Sequence, residues 1–163
     1  MQRLKAWGNT KIVAIVGAFT FNEAGELLLL QRHTQDLGGG RWGTPGGRID
    51  QGESAEAAMC REFYEETGIQ NLNFELLGTH EIRMPHGTVH KTSYRTTLPK
   101  LSRIVLDPNE HHAYAWFSLQ GLLDKDDILW GMPTLLRDFG LIGSLEADPT
   151  LSDGSSVELL KLA

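Results

Sequence analysis

The stretch from Gly47 to Ile69, GRIDQGESAEAAMCREFYEETGI, constrains this chain more than any other. Ser54 offers an N-cap oxygen, and Glu56 suits the positive end of a first helical turn. Gly68 suits the left-handed stop just past a last helical residue. These signals predict a helix from about Ala55 to Thr67. At about 100° per residue, Glu62, Glu65 and Glu66 share one face, while Met59, Cys60, Phe63 and Tyr64 spread over another. Carboxylates at such spacing repel one another by roughly 0.3 kcal/mol per pair. Arg61 is expected to offset only one of them, most naturally Glu65 four residues on. Such a face is either solvated or the oxygen cluster that a hard divalent cation wants. Cys60, on the apolar side of that division, is expected to be a small buried hydrophobe rather than a nucleophile.

The acids stand in a defined frame. Gly47 is followed after five residues by Glu53, and after seven more by Arg61-Glu62, an apolar Phe63, Tyr64, Glu65-Glu66, Thr67, Gly68 and an apolar Ile69. At every defined position this segment resembles the box of the Nudix hydrolase family. The resemblance implies an α/β/α sandwich with a mixed β-sheet, covering roughly Lys11 to Phe139 of a single domain, 1–163. It implies metal-dependent hydrolysis of a nucleoside diphosphate linked to another group, with Mg2+ as cofactor and Mn2+ as a substitute. By the same resemblance Glu62 and Glu66 are metal ligands, and Glu65 contributes directly or through water. The Gly46 carbonyl adds a ligand, Arg61 orients the acids, and Glu53 serves as an anchor or water acceptor. MutT-like members also place an acid about six residues before a tryptophan; Glu110 stands so before Trp116 and would reach the metal or take the proton of the attacking water.

The partner of the diphosphate is less constrained. The segment from Gln31 to Thr44 lacks the arginine-containing signature of the coenzyme A type, and Pro85-His86-Gly87 stands where the dinucleoside polyphosphate type has a tyrosine. Pro85, sixteen residues past Ile69, matches the ADP-ribose type in one position. The WGTPGG lead-in looks more like nucleoside triphosphate pyrophosphohydrolases of the MutT kind, which release a nucleoside monophosphate and pyrophosphate. Nucleotide-sugar or ADP-ribose hydrolysis is the alternative. A non-catalytic nucleotide-sensing module is the alternative of another class, though all the box acids are present.

A chain of 163 residues suits one domain. Its net charge of −6, with no basic block, argues against long nucleic acid as a partner and favours a small nucleotide bridged by cations. One cysteine excludes an internal disulfide and suits a reducing cytoplasm. No apolar run reaches membrane-spanning length. Arg3, Lys5 and Lys11 before an apolar stretch loosely mimic a signal peptide, but cleavage there would remove a strand that the family fold uses. A homodimer is left open.

Ile12 to Phe21 is apolar on both alternating faces and is expected to be a strand covered on both sides, forming a hairpin with a strand from Glu26 to His33. Arg32 ends that strand, as a surface charge or a phosphate contact through its guanidinium fork; His33 is expected at the surface. Leu37 to Gly47 is too rich in glycine for regular structure, with Trp42 as its anchor. Phe74 to Arg83 and Thr88 to Leu98 are expected strands, Ala113 to Phe117 a short one, and Ser118 caps a helix through Leu123. Met132 to Phe139 suits a further helix with Pro133 in its first turn. Val157 to Leu162 suits a strand or a helix. His111 and His112 are alternative bases to Glu110, and in a strand only one of them could face the acids.

Overall fold

The computed structural model describes residues 12–35, 38–84, 87–99, 102–129, 131–142 and 158–162. Seven strands form one mixed sheet: β1 (Ile12–Phe21), β2 (Leu27–Arg32), β3 (Trp42–Gly43), β4 (Glu75–Met84), β5 (Gly87–Thr97), β6 (His111–Phe117) and β7 (Glu158–Leu162). Helix α1 (Ala55–Thr67) covers one face, and α2 (Leu119–Leu123) and α3 (Met132–Asp138) cover the other. This is the expected α/β/α sandwich.

Successive residues of β1 and β2 point to opposite faces, so both strands bury both sides. Val16, Ala18, Leu28 and Leu30 pack under α1 with Ala58, Met59, Phe63 and Tyr94. Phe19, Phe21, Leu27 and Leu29 pack on the far side with Leu122, Met132, Leu135 and Leu136. Burial along β1 begins only at Val16; Ile12 is more than half exposed.

The expected hairpin is real only at its closed end. Asn22 Oδ1 accepts the Ala24 and Glu26 amides and closes the turn, but β1 meets β2 only at Phe21 and Leu27. From there the strands splay. Along its full length β2 gives one edge to β6, and the far end of its other edge goes to β3. β1 pairs in parallel with β5, from Ile12 opposite Thr88 to Phe21 opposite Thr97. The edge that β1 turns toward β2 is taken by the chain that follows β3. The Val16 amide donates to Gly47 O at 2.8 Å, the Ala18 amide to Pro45 O at 2.9 Å, and the Ile49 amide to the Ala14 carbonyl at 3.1 Å. The glycine-rich segment thus does the work of a strand, where the sequence suggested only irregular backbone. Gly46 permits it, with φ at 147° and no room for a Cβ against the Val16 carbonyl oxygen.

Helix α1 has the expected limits. Ser54 Oγ accepts the Ala57 amide at 3.1 Å, and Gly68, at φ 71°, donates its amide to Tyr64 O. Its orientation corrects the division of faces made from sequence. The docked side carries Ala58, Met59, Phe63, Glu66 and Thr67. Glu66 lies two turns from Met59 and goes under with it. Cys60, one residue and so about 100° round from Met59, is exposed, as is Tyr64. Cys60 is therefore not a core residue.

β4 and β5 match expectation within one residue at each end, and β6 begins at His111, two residues early. The C-terminal segment is a strand, with Leu162 to Glu158 pairing against Thr79 to Arg83 of β4. Arg3, Lys5, Lys11 and Pro85 fall outside the described residues. Among the described residues no helix is long and apolar enough to cross a membrane.

The docking of α1 makes a contrast that chemical denaturation can read. Phe63→Ala should cost about 3–5 kcal/mol, because Phe63 is fully enclosed. Tyr64→Ala and Cys60→Ser should stay within about 0.5 kcal/mol of the parent. Comparable losses at positions 63 and 64 would mean that the helix docks on a different face.

Candidate functional site

Glu66 is the charged side chain most completely enclosed among the described residues, at 2% exposed. Its Oε2 accepts the Gly46 amide at 2.7 Å, which ties the helix to the loop docked on β1. Burial pushes its carboxyl well above the usual carboxylate range. Glu110 and Glu62 push the same way, while the Gly46 amide and the Arg32 charge pull it down. Glu62 lies over Gly47, where any Cβ would collide with its carboxylate. Consecutive glycines therefore let two carboxylates of α1 approach the loop backbone.

Arg61 does more than expected. Instead of pairing chiefly with Glu65, it grips Glu53 with two bonds, Nε to Oε1 at 2.9 Å and Nη2 to Oε2 at 2.8 Å. It reaches Glu62 at 2.8 Å and the Arg48 carbonyl at 2.9 Å, and Glu65 only at 3.3 Å. Glu53 also accepts the Asp50 amide at 3.1 Å. The hydrogen bonds from Arg61, then the Asp50 amide, hold the Glu53 carboxyl below its ordinary value. The same bonds from the other side raise the Arg61 guanidinium. Glu65, half exposed, is the least constrained of the box acids.

The other half of the site comes from the paired ends of β2 and β6. The register shifts between Gln31 and Arg32, setting Arg32 opposite His111. As strand alternation requires, the adjacent histidines part. His111 is buried, with Nε2 3.7 Å from Glu66 Oε1, and His112 turns outward against the His33 ring at 5.4 Å. Glu110 stands in the turn built on Asp107, whose Oδ1 accepts the Asn109 amide. The Glu110 carbonyl accepts the His33 amide at 3.3 Å, and His33 Nε2 is 2.8 Å from Pro108 O. Desolvation, then the charges of Glu62 and Asp107, raise the Glu110 carboxyl. Arg32 opposes that shift and the one at Glu66, and its buried Nε has no hydrogen-bond partner among the described residues.

One ligand atom each from Glu66, Glu110 and His111 lies within 4.8 Å of the others. Two of these are carboxylates that a divalent cation would stabilise in the charged form, and Arg61 is already committed to Glu53 and Glu62. The donor set therefore fits a divalent ion. All the sequence-derived candidates gather here: Glu62, Glu65 and Glu66 on α1, Glu53 and Arg61 at its clamp, Gly46 on the loop, and Arg32 and Glu110 across from them. Reasoning from sequence did not foresee that His111 would be buried against Glu66. The signal available was the His-His pair at a strand entry, which predicts that one ring turns inward without saying which.

A family model described as the NUDIX domain matches residues 11–139. A CTP pyrophosphohydrolase of Escherichia coli (strain K12) is 30% identical over 108 residues, covering 66% of this chain and 77% of that protein. A putative 8-oxo-dGTP diphosphatase of Bacillus subtilis (strain 168) is 50% identical over 54 residues, a match confined to 32% of this chain and 34% of its own length. Among solved structures, a MutT protein from Methanosarcina mazei Go1 superimposes with a TM-score of 0.72 at 26% identity, covering 81% of this chain and 95% of that one.

The enclosure of Glu66 predicts a specific pH response. With its carboxyl raised in the folded state, the native protein holds that proton longer than the unfolded chain does. The stability linked to this group is therefore complete at low pH and is lost as pH rises from about 4.5 through the native value. Glu66→Gln keeps an acceptor for the Gly46 amide and removes the charge. Without metal, it should unfold at an equal or higher temperature than the parent at pH 7.5, with a shallower decline between pH 5 and 8. A variant several degrees less stable at pH 7.5 would contradict this account.

Proposed function

Since the chain belongs to the NUDIX family and is a hydrolase of phosphoanhydride bonds, we propose that it is a MutT-like nucleoside triphosphate pyrophosphohydrolase, releasing a nucleoside monophosphate and pyrophosphate. The observation that carries the reading is the convergence of Glu66, Glu110 and His111 beside the loop that holds Gly46. The activities of the Escherichia coli and Bacillus subtilis relatives, on CTP and 8-oxo-dGTP, favour a triphosphate over other diphosphate compounds. Small nucleotides in a cytoplasmic setting are the substrates this reading implies.

Glu62 and Glu66 would hold Mg2+, or Mn2+ in its place, with Glu65, Glu110 and the Gly46 carbonyl completing the set. When bound, such an ion neutralises phosphate charge and lowers the pKa of its own water. The chain's own groups do the rest. Arg61 fixes Glu62 through one bond and Glu53 through two, which holds the acids in place against their repulsion. Arg32 offers a guanidinium fork to phosphate oxygens from the β2 end, and its unsatisfied Nε marks bonding capacity that the protein leaves unused. Glu110 takes the proton of the attacking water. Desolvation and the charges of Glu62 and Asp107 raise its carboxyl above the usual value, the direction that makes a stronger base. Water oxygen bonds to phosphorus, the bridging P–O bond breaks, and pyrophosphate leaves.

Two sets of variants test these roles. Glu110→Gln should lose roughly 10²-fold in kcat and the acidic limb of the pH–rate profile, while His112→Ala, outside the cluster, should keep most of its rate. Full activity in Glu110→Gln with collapse in His111→Ala would hand the base to His111. Arg32→Ala should raise KM more than it lowers kcat, as loss of uniform phosphate binding requires; unchanged kinetics would return Arg32 to a surface charge. Pyrophosphate rather than inorganic phosphate should be the product, and only with divalent metal present.

A further inference from the structure

On the face of the sheet away from α1, a lysine occupies ground that packing alone would give to an apolar residue. Strand registers set Ile15, Lys91 and His80 in one row and Gly17, Ser93 and Gly78 in the next. The second row has a side chain only at its centre. Phe139 covers one gap: a methyl group on Gly78 would lie 3.3 Å from its Cε1. Lys91 covers the other. A methyl on Gly17 would lie 3.0 Å from Lys91 Cε, 3.3 Å from Nζ and 3.1 Å from Thr44 Oγ1. The lysine stem therefore crosses β1, and its ammonium converges with the Thr44 hydroxyl over Gly17.

Nothing charged rewards that position. Among the described residues no carboxylate pairs with Lys91, and burial alone lowers its ammonium to about 8. Two further polar groups on the same face are enclosed without partners: Ser93 Oγ and His80 Nδ1, in side chains that are 0% exposed. His80 is anchored through its other nitrogen, 3.1 Å from Asp138 Oδ2. A fold keeps unsatisfied groups of this kind at a cost, and a ligand that pairs with them is the physical reason to keep them.

Thr44 stands two residues before Gly46, no more than about 7 Å of backbone from the loop's contact with Glu66. The loop links the two places: its Gly46 amide holds Glu66, and its Thr44 hydroxyl meets Lys91 on the other face of the sheet, where a nucleotide with its phosphates at Glu66, Glu110 and Arg32 would have to extend past the loop to bring its far end. The neighbour that Lys91 has on β4, His80, packs edge-on against the Phe139 ring at 5.0 Å, which suits a flat heterocycle better than another phosphate. We propose that Lys91, with Thr44, reads a keto oxygen of the nucleobase, making Lys91 a specificity residue. An ammonium only donates hydrogen bonds. It donates to the keto oxygen of guanine and leaves the exocyclic amino group of adenine facing a like donor. This rests on the pyrophosphohydrolase reading for the place of the phosphates.

Binding of the product monophosphates tests it without turnover. Calorimetric titration with GMP and AMP should show tighter binding of GMP by the parent protein. In Lys91→Met, of similar length and apolar, GMP affinity should fall about tenfold or more and AMP affinity should stay within about twofold. The thermal midpoint should be equal or higher, since a desolvated charge with no carboxylate partner among the described residues has gone. Thr44→Val should weaken GMP in the same direction by less. Equal affinity for GMP and AMP in the parent would overturn the proposal, as would equal losses of both in Lys91→Met. If triphosphate turnover is intact while GMP and AMP bind alike, only the role of Lys91 fails. If discrimination disappears with Lys91 in a protein that does not release pyrophosphate, Lys91 stands and the reaction assignment fails.

Discussion

One hydrogen bond ties the helix that carries the acids to the loop docked on β1, from the Gly46 amide to Glu66 at 2.7 Å. Gly46 can offer that amide only because its loop lies along β1 as a substitute strand, and the loop can lie there only because β1 and β2 part beyond Phe21 and Leu27. Beyond that point β6 keeps one whole edge of β2, and β1 and β3 share the other. On the helix side, Glu66 reaches the loop because it sits on the docked face with Met59 and Phe63. Burying a carboxylate costs several kcal/mol unless it is hydrogen-bonded or paired. The Gly46 amide and the Arg32 charge offset part of that cost, and the remainder is stored as a raised carboxyl pKa beside a second one at Glu110.

Positive charge is divided unevenly between the acids, and the division assigns their roles. Arg61 spends its guanidinium on Glu53 and Glu62, which locks the start of α1 to the chain before it. Among the described residues, the cation that lowers both the Glu66 and Glu110 carboxyls is Arg32. That leaves a rigid, half-neutralised pair beside a less neutralised one, a pattern that favours a cation arriving from solution over a structural salt bridge. Lys91 on the opposite face is the mirror case, a cation that no anion among the described residues meets. In both places stability is given up at positions where a ligand of opposite polarity would restore it.

What could be read from the sequence was whatever depends on near neighbours. The limits of α1 follow from Ser54 and Gly68, and the helix beginning at Met132 follows from Pro133; both are local signals and both agree with the structure. The box spacing collected the right acids because i, i+3 and i+4 positions are neighbours on any helix. Which face would dock was not legible. Glu66 lies within one turn of Phe63 and two turns of Met59, so the same spacing that groups it with the acids also groups it with the core. Cys60 was misassigned for the same reason. The parallel pairing of β1 with β5 joins residues some seventy-six positions apart, such as Ile12 and Thr88, and no local pattern encodes it. His111 shows the limit most plainly: alternation separates the two histidines, but only the bulge between Gln31 and Arg32 decides which one meets Glu66.

The central claim is that the Glu66 cluster is built to hold a divalent ion, and direct counting of bound Mn2+ tests it most simply. Free Mn2+ can be followed by electron paramagnetic resonance during titration of the protein, with a non-hydrolysable triphosphate analogue present. The account predicts saturable binding in the parent and a loss of affinity of about tenfold or more in a folded Glu66→Gln variant, since one carboxylate ligand is gone. Mn2+ binding of the same stoichiometry and affinity in both proteins would contradict it.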